Sequence, residues 1–150
     1  VYKSLLLDMK KTVFFLVLGA MTLFSCSNDD DAMDTQSCDA SVFIDSQQYE
    51  NGESDSFSFN SVELIGDCLN LRYSATGCDG NSWVVRLVAH EAVSESLPPM
   101  MDVRLLLVNQ EACTAEVSQE QSFDLSNLQG SGSSITIQLE DWESTILYEY

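Results

Sequence analysis

The chain has 150 residues, 24 carboxylates against six Lys and Arg, and a formal net charge of −18. So acidic a balance excludes nucleic acid and anionic lipid headgroups as partners, because both are held by positive patches. No internal repeat, heptad pattern or second linker interrupts it, which argues for one folded domain.

Lys10 and Lys11 open an uncharged apolar run from Thr12 to Phe24, thirteen residues long, whereas a membrane-spanning helix needs about 20. Leu23-Phe24-Ser25-Cys26 closes that run and Ser27-Asn28-Asp29-Asp30-Asp31 follows. A positive segment, an apolar segment and a small residue before a cysteine are the parts of a lipoprotein signal peptide, here residues 1–25, with cleavage before Cys26 and lipid on its sulfur. Met9-Lys10-Lys11 makes a better start to such a leader than Val1 to Asp8, so translation is expected to begin at Met9. The competing reading, a buried core helix over Val13 to Leu23, must explain the flanking lysines, the cysteine and the acidic run together.

The leader resembles those of bacterial lipoproteins, and Ser27-Asn28-Asp29-Asp30-Asp31 is similar to the acidic export signal of Bacteroidetes lipoproteins. The resemblance covers only the leader and this run. It implies diacylation and N-acylation of Cys26, attachment to the outer membrane and display on its outer surface. Aspartate runs also occur as plain solvated linkers.

Loss of residues 1–25 removes Asp8 and all three lysines, leaving 23 carboxylates against Arg72, Arg86 and Arg104, a formal charge near −20 on 125 residues. Contact with the bilayer must then come from the acylated Cys26. The acidic surface serves either solubility or attraction for a cationic partner, a divalent cation or a basic polypeptide. Residues 26–37 are short, polar and acidic and read as a flexible tether; residues 38–150 form the domain.

Four cysteines remain in the domain, Cys38, Cys68, Cys78 and Cys113, and an even number in an exported domain implies two disulfides. Zinc competes poorly, because no C-x-x-C pair exists and the sole histidine, His90, stands apart. No metal and no cofactor is expected.

Period-two alternation predicts strands. Leu69, Leu71, Tyr73 and Ala75 form one face of a strand, and Trp83, Val85, Leu87 and Ala89 form one face of another. The turn formers Thr76 to Asn81 between them predict a β-hairpin with a longer loop. Further strands are expected at Val42 to Ile44, Phe57 to Phe59, Val62 to Ile65, Val103 to Val108 and Ala112 to Val117. A closing hairpin is expected from Ile135 to Leu139 and Ile146 to Tyr150. A helix capped by Asn109 is the alternative over Asn109 to Glu120. The sum is an all-β, antiparallel β-sandwich that resembles immunoglobulin-like domains in size and strand count.

Ten residues of extended strand hold Cys68 and Cys78 far beyond the ~5.5 Å that a bridge allows between Cα atoms. If the next two strands run away from the Cys78 turn and back, Cys113 arrives beside Cys78. The expected bridges are therefore Cys78–Cys113 and Cys38–Cys68. The same hairpin would pair Leu71 with Leu87 and set Arg72 opposite Arg86 on one face, as an ion network or an anion site.

Catalytic signals are sparse. His90 beside Glu91 reads as a loop residue rather than a base, and no carboxylate pair is singled out by its spacing. Asp79-Gly80-Asn81 lacks the alternating ligands of a calcium loop. Trp83 lies on a core face. Trp142, in the polar stretch Glu140 to Thr145, is either a packing lid or a ligand platform. The leading expectation is a non-enzymatic surface lipoprotein acting as a binding or accessory module for a glycan or a cationic protein, with Arg72, Arg86 and Trp142 as candidate ligand residues. An acidic inhibitor of a basic lysozyme or protease is the second reading, and a hydrolase the third.

Overall fold

The computed structural model describes residues 37–150. The leader, Cys26 and the tether up to residue 36 lie outside the described residues. Two sheets face one another. The first has the order β1-β7-β4-β3, with β1 Ala40–Ser41, β3 Ser58–Ile65, β4 Cys68–Gly77 and β7 Ala115–Asp124. The second has the order β2-β5-β6-β8-β9, with β2 Phe43–Ile44, β5 Val84–Ser94, β6 Met100–Val108, β8 Ser134–Leu139 and β9 Ile146–Glu149. The protein is an all-β sandwich.

Its sheets are mixed rather than purely antiparallel. β1 runs parallel to β7, β2 parallel to β5 and β6 parallel to β8, while the remaining neighbours are antiparallel. The cause of two of these pairs is one extended segment, residues 40–44, that pairs first with one sheet and then with the other. Between its halves Val42 turns inward and is buried, closing that side of the sandwich. The opposite side lies between the edge strands β3 and β9.

The hairpin expected between residues 68–75 and 82–89 does not form. A strand has two edges, and β4 uses its own on β3 and β7, while β5 uses its own on β2 and β6. Residues 78–83 therefore cross from one sheet to the other. Leu71 and Leu87 both stay in the core but belong to different sheets; in register Leu71 opposes Val62 and Gln121, and Leu87 opposes Leu105. The true partner of β4 is β3, joined by the two-residue turn Gly66-Asp67. Gly66 sits there at φ 57, the left-handed backbone that tight hairpin turns demand.

Alternation fills the core as the apolar pattern dictates: Leu69, Leu71 and Tyr73 from β4, Leu87 and Ala89 from β5, and Ile135, Ile137 and Leu139 from β8 are all buried. Tyr148 of β9 is buried too, and its hydroxyl donates to Asp67 Oδ1 at 2.7 Å while accepting from Gln129 Nε2 at 2.6 Å. Burial first, and the bond to the Asp67 carboxylate second, push its pKa up to about 12.

Residues 109–114 form no helix. The Asn109 side chain instead accepts from the Glu111 N–H at 2.9 Å and donates to the Thr76 carbonyl at 2.7 Å, so it locks a crossing loop. The helix that does form is α1, Ser46–Asn51. Asp45 caps it by accepting from the Gln48 N–H at 2.9 Å, and Gln48 Nε2 returns a bond to Asp45 Oδ2 at 3.1 Å. The helix lies on the outer face of the second sheet, over Leu106 and Arg104, whose Nη1 donates to the Tyr49 carbonyl at 3.0 Å.

Candidate functional site

Two loop systems stand out among the described residues for their polar and acidic side chains. The first joins the crossing loops 78–83 and 109–114. Cys78 bridges to Cys113 and Cys38 to Cys68, with Cα atoms 4.9 and 5.5 Å apart, which is the expected pairing. Half of its derivation holds, because Cys68 and Cys78 do flank one strand. The other half assumed a hairpin that is absent; Cys113 meets Cys78 because both loops cross between the sheets at the same end.

The bridge brings Glu111, two residues before Cys113, against the turn that follows Cys78. Glu111 Oε2 accepts from the backbone N–H groups of Cys78 at 2.5 Å, Asp79 at 3.2 Å and Gly80 at 3.2 Å, and Oε1 accepts from the Ser82 hydroxyl at 2.8 Å. Three successive N–H groups thus converge on one carboxylate oxygen as an anion-binding nest, and Gly80, at φ 74, turns the chain directly after it. Desolvation in the loop works to raise the Glu111 pKa, but the hydrogen bonds from Cys78, Ser82, Gly80 and Asp79 outweigh it and hold the carboxyl at about 2. This anion site is filled by the chain itself. Sequence reasoning missed Glu111, although the Cys78–Cys113 pairing carried the signal by placing an acid beside a turn rich in N–H donors.

The second system is a groove of 590 Å3 on the open side of the sandwich, between the start of β3 and the β8–β9 loop. Phe57, Ser58 and Phe59 line one wall, and Asp141, Trp142, Glu143 and Ser144 the other. Trp142 packs on the core edge-to-face with Phe59, ring centroids 6.2 Å apart at 80°. It is thus both a packing residue and a wall of the groove, so the two readings of Trp142 are not exclusive. From Phe59 the rings continue to Phe57 at 5.1 Å, to Tyr73 at 6.4 Å and to Trp83 at 6.2 Å, a row that reaches the crossing loops. Trp83 packs against the core as expected, with its indole Nε1 buried and without a hydrogen-bond partner.

Asp141 holds φ 63, a left-handed conformation that Asp tolerates better than most side chains. Just before it, Glu140 Oε2 pairs with Arg104 Nε at 3.1 Å. Among the described residues the other close contact between a basic and an acidic side chain is His90–Glu50, so neither Asp141 nor Glu143 has a cationic partner there. Phe57 and Phe59 were expected only as strand residues; their part in the groove depends on β3 being an edge strand, which no local pattern reveals.

Arg72 and Arg86 are not brought together. Arg72 is exposed on the outer face of the first sheet, in register with Glu120 and Ser61, whereas Arg86 is exposed on the outer face of the second, in register with Leu106. The shared-face network and the shared anion site both depended on the absent hairpin, and both fall with it. His90 faces α1 instead of the groove. Its Nδ1 accepts from the Ala92 N–H at 3.0 Å, its Nε2 lies 3.4 Å from Glu50 Oε1, and its ring meets Tyr49 edge-on at 5.4 Å. Among the described residues no group of three or more His, Cys, Asp or Glu side chains is placed to hold a metal ion.

No family model matches the sequence, and no curated protein does. Solved structures do match in fold. One is a NigD-like immunity protein from Bacteroides caccae, with a TM-score of 0.52 at 18% identity over 75% of this chain and 59% of that one. Another is a protein of unknown function, DUF1344, from Bacteroides vulgatus, with a TM-score of 0.51 at 14% identity over 74% of this chain and 56% of that one. The chain spans less than two thirds of either protein, and at such identities what is shared is the fold: these two Bacteroides proteins carry a sandwich similar to this one.

Proposed function

We propose that the protein is a non-enzymatic binding module, held at the outer-membrane surface by lipid on Cys26, that takes its ligand in the groove between β3 and the β8–β9 loop. The observation that carries the reading is the groove's lining, in which three aromatic rings and two carboxylates without a cationic partner converge. Aromatic surface beside a few polar groups that fix orientation is what ligand sites use, and here the two are present in nearly equal measure. The other concentrated polar site, the nest at Cys78–Gly80, is occupied by Glu111 and has nothing left to offer. A fold shared with an immunity protein is compatible with a binding role and supplies no ligand.

The inhibitor reading is favoured by one feature, the acidic residues Asp141 and Glu143 at the groove, which suit a basic target. The test of the general reading uses the full chain, purified with its anchor in detergent and immobilised. Neutral oligosaccharides and basic peptides are passed over wild type and Trp142→Ala in parallel. Binding of either probe that weakens in the variant supports the reading; no binding, or equal binding to both proteins, overturns it. Fractionation of Cys26→Ser cells tests the anchor separately, and a variant that still sediments with the outer membrane removes that part of the proposal.

A further inference from the structure

We infer that the groove accepts a cationic side chain, an arginine above all, presented by a basic polypeptide. The inference rests on the binding-module reading and names its ligand chemistry. The indole of Trp142 and the ring of Phe59, both partly exposed, line the groove with aromatic surface, and tryptophan is the strongest of the aromatic partners for a cation. Asp141 and Glu143, exposed on the same wall as Trp142, supply the counter-charge for a guanidinium docked in the groove. A neutral sugar would use the rings but leave two carboxylates to be desolvated without compensation.

The β8–β9 loop already binds one guanidinium. Arg104 comes up from β6 to meet Glu140 at 3.1 Å, on the residue just before Asp141. The same loop then continues into the groove with two more carboxylates, and no arginine of the chain reaches them: Arg72 and Arg86 lie on the two outer faces. The wider field points the same way, because a domain with three arginines and no lysine draws cationic partners and repels anionic ones. Arginine is preferred to lysine because its planar guanidinium stacks on an indole while its edge bonds to carboxylate, and it is the more weakly hydrated of the two.

The experiment is a titration of the full chain with an arginine-rich octapeptide, its lysine counterpart, a glutamate-rich octapeptide and a neutral hexasaccharide. Wild type is compared with Asp141→Asn/Glu143→Gln, which keeps the groove's shape, and with Glu63→Gln/Glu120→Gln, which removes the same charge from the exposed outer face of the first sheet. The expected result is arginine over lysine, no binding of the glutamate peptide, and a loss of about tenfold in the groove variant against less than about twofold in the outer-face variant. Equal losses in the two variants would mean attraction by net charge alone and would overturn the site. Binding of the hexasaccharide without the arginine peptide would overturn the cation and leave the module standing. Binding of neither would remove both.

Discussion

The crossing loops and the β8–β9 loop are both polar, acidic and tied to the same aromatic row, yet they differ in what they leave unsatisfied. In the crossing loops almost every strong group has a partner within the chain. Cys78 is bridged, Glu111 fills the nest, Asn109 holds Thr76, and Gln119 Nε2 donates to the Asp79 carbonyl at 2.9 Å. In the β8–β9 loop Glu140 is paired behind, while Asp141, Trp142 and Glu143 line an open groove. A loop whose hydrogen-bonding capacity is used internally stabilises the fold, and one with capacity to spare can bind something else. The pair of loops thus separates structural acid from functional acid, a distinction that net charge hides.

The largest expected effect breaks the structural side. Cys78→Ser/Cys113→Ser opens a bridge that spans 35 residues and should cost roughly 2 to 4 kcal/mol in chemical denaturation. Binding of the arginine peptide should survive it, measured well below the new midpoint. If the groove lost its affinity as well, the aromatic row from Trp83 to Trp142 would be coupling the two loops, and the division drawn above would be false.

Gly77 offers a narrower cut through the same region. A Cβ at this position would stand 2.5 Å from Glu111 Oε2 and 2.9 Å from Trp83 Cζ2, so Gly77→Ala must displace either the nest's occupant or the indole. Overpacking of this kind costs about 1 to 3 kcal/mol. Thermal melts of the variant check it, and an unchanged midpoint would show that the loops yield more easily than their hydrogen bonds suggest.

Trp142→Ala sharpens the contrast from the other side. The ring is only partly buried, so its loss should cost about 1 kcal/mol of stability, less than either change above, while removing the groove's binding. A stability loss as large as that of the disulfide variant would make packing the larger of the ring's two roles. Unchanged binding in a variant that still folds would remove the groove's claim to be the binding site.

How much of this was legible in the sequence follows from where each constraint lives. Alternation in β4, β5 and β8 fixed which side chains face the core, because the period-two pattern is a property of single strands. Partner choice is not. Thr76 to Asn81 carries every mark of a hairpin loop, and only the saturation of both β4 edges makes it a crossing. The turn that does close a hairpin, Gly66-Asp67, is a two-residue signal that the sequence reading passes over. Asp45-x-x-Gln48 is likewise a capping pattern, too short in the helix it starts to show apolar periodicity. Arg72 and Arg86 were misplaced by one wrong strand pairing, whereas Trp142 stood out because an indole in a polar loop needs a reason, and the structure sets it against the core and along the groove. Its companions Phe57 and Phe59 lie 85 and 83 residues before it and could not be seen without the fold.

The smallest effect is the most diagnostic, because it asks whether Glu111 acts through its charge. Its pKa falls from an ordinary 4.5 to about 2 on folding. A group whose folded value is depressed contributes fully above the unfolded value, and that contribution is lost as the pH falls toward the folded one. Glu111→Gln cannot offer the nest a carboxylate at any pH. The thermal midpoints of wild type and variant should therefore differ by a constant amount above about pH 5, converge from 4.5 downward and meet near pH 2. Asp39, whose pKa is also lowered, by hydrogen bonds from Ser122, titrates in both proteins and cancels in the difference. Midpoints that stay apart down to pH 2 would assign Glu111's role to shape and neutral hydrogen bonding. Midpoints that coincide at pH 7 would mean that the nest does not depend on its occupant, and the crossing loops would then resemble the groove more closely than the comparison holds.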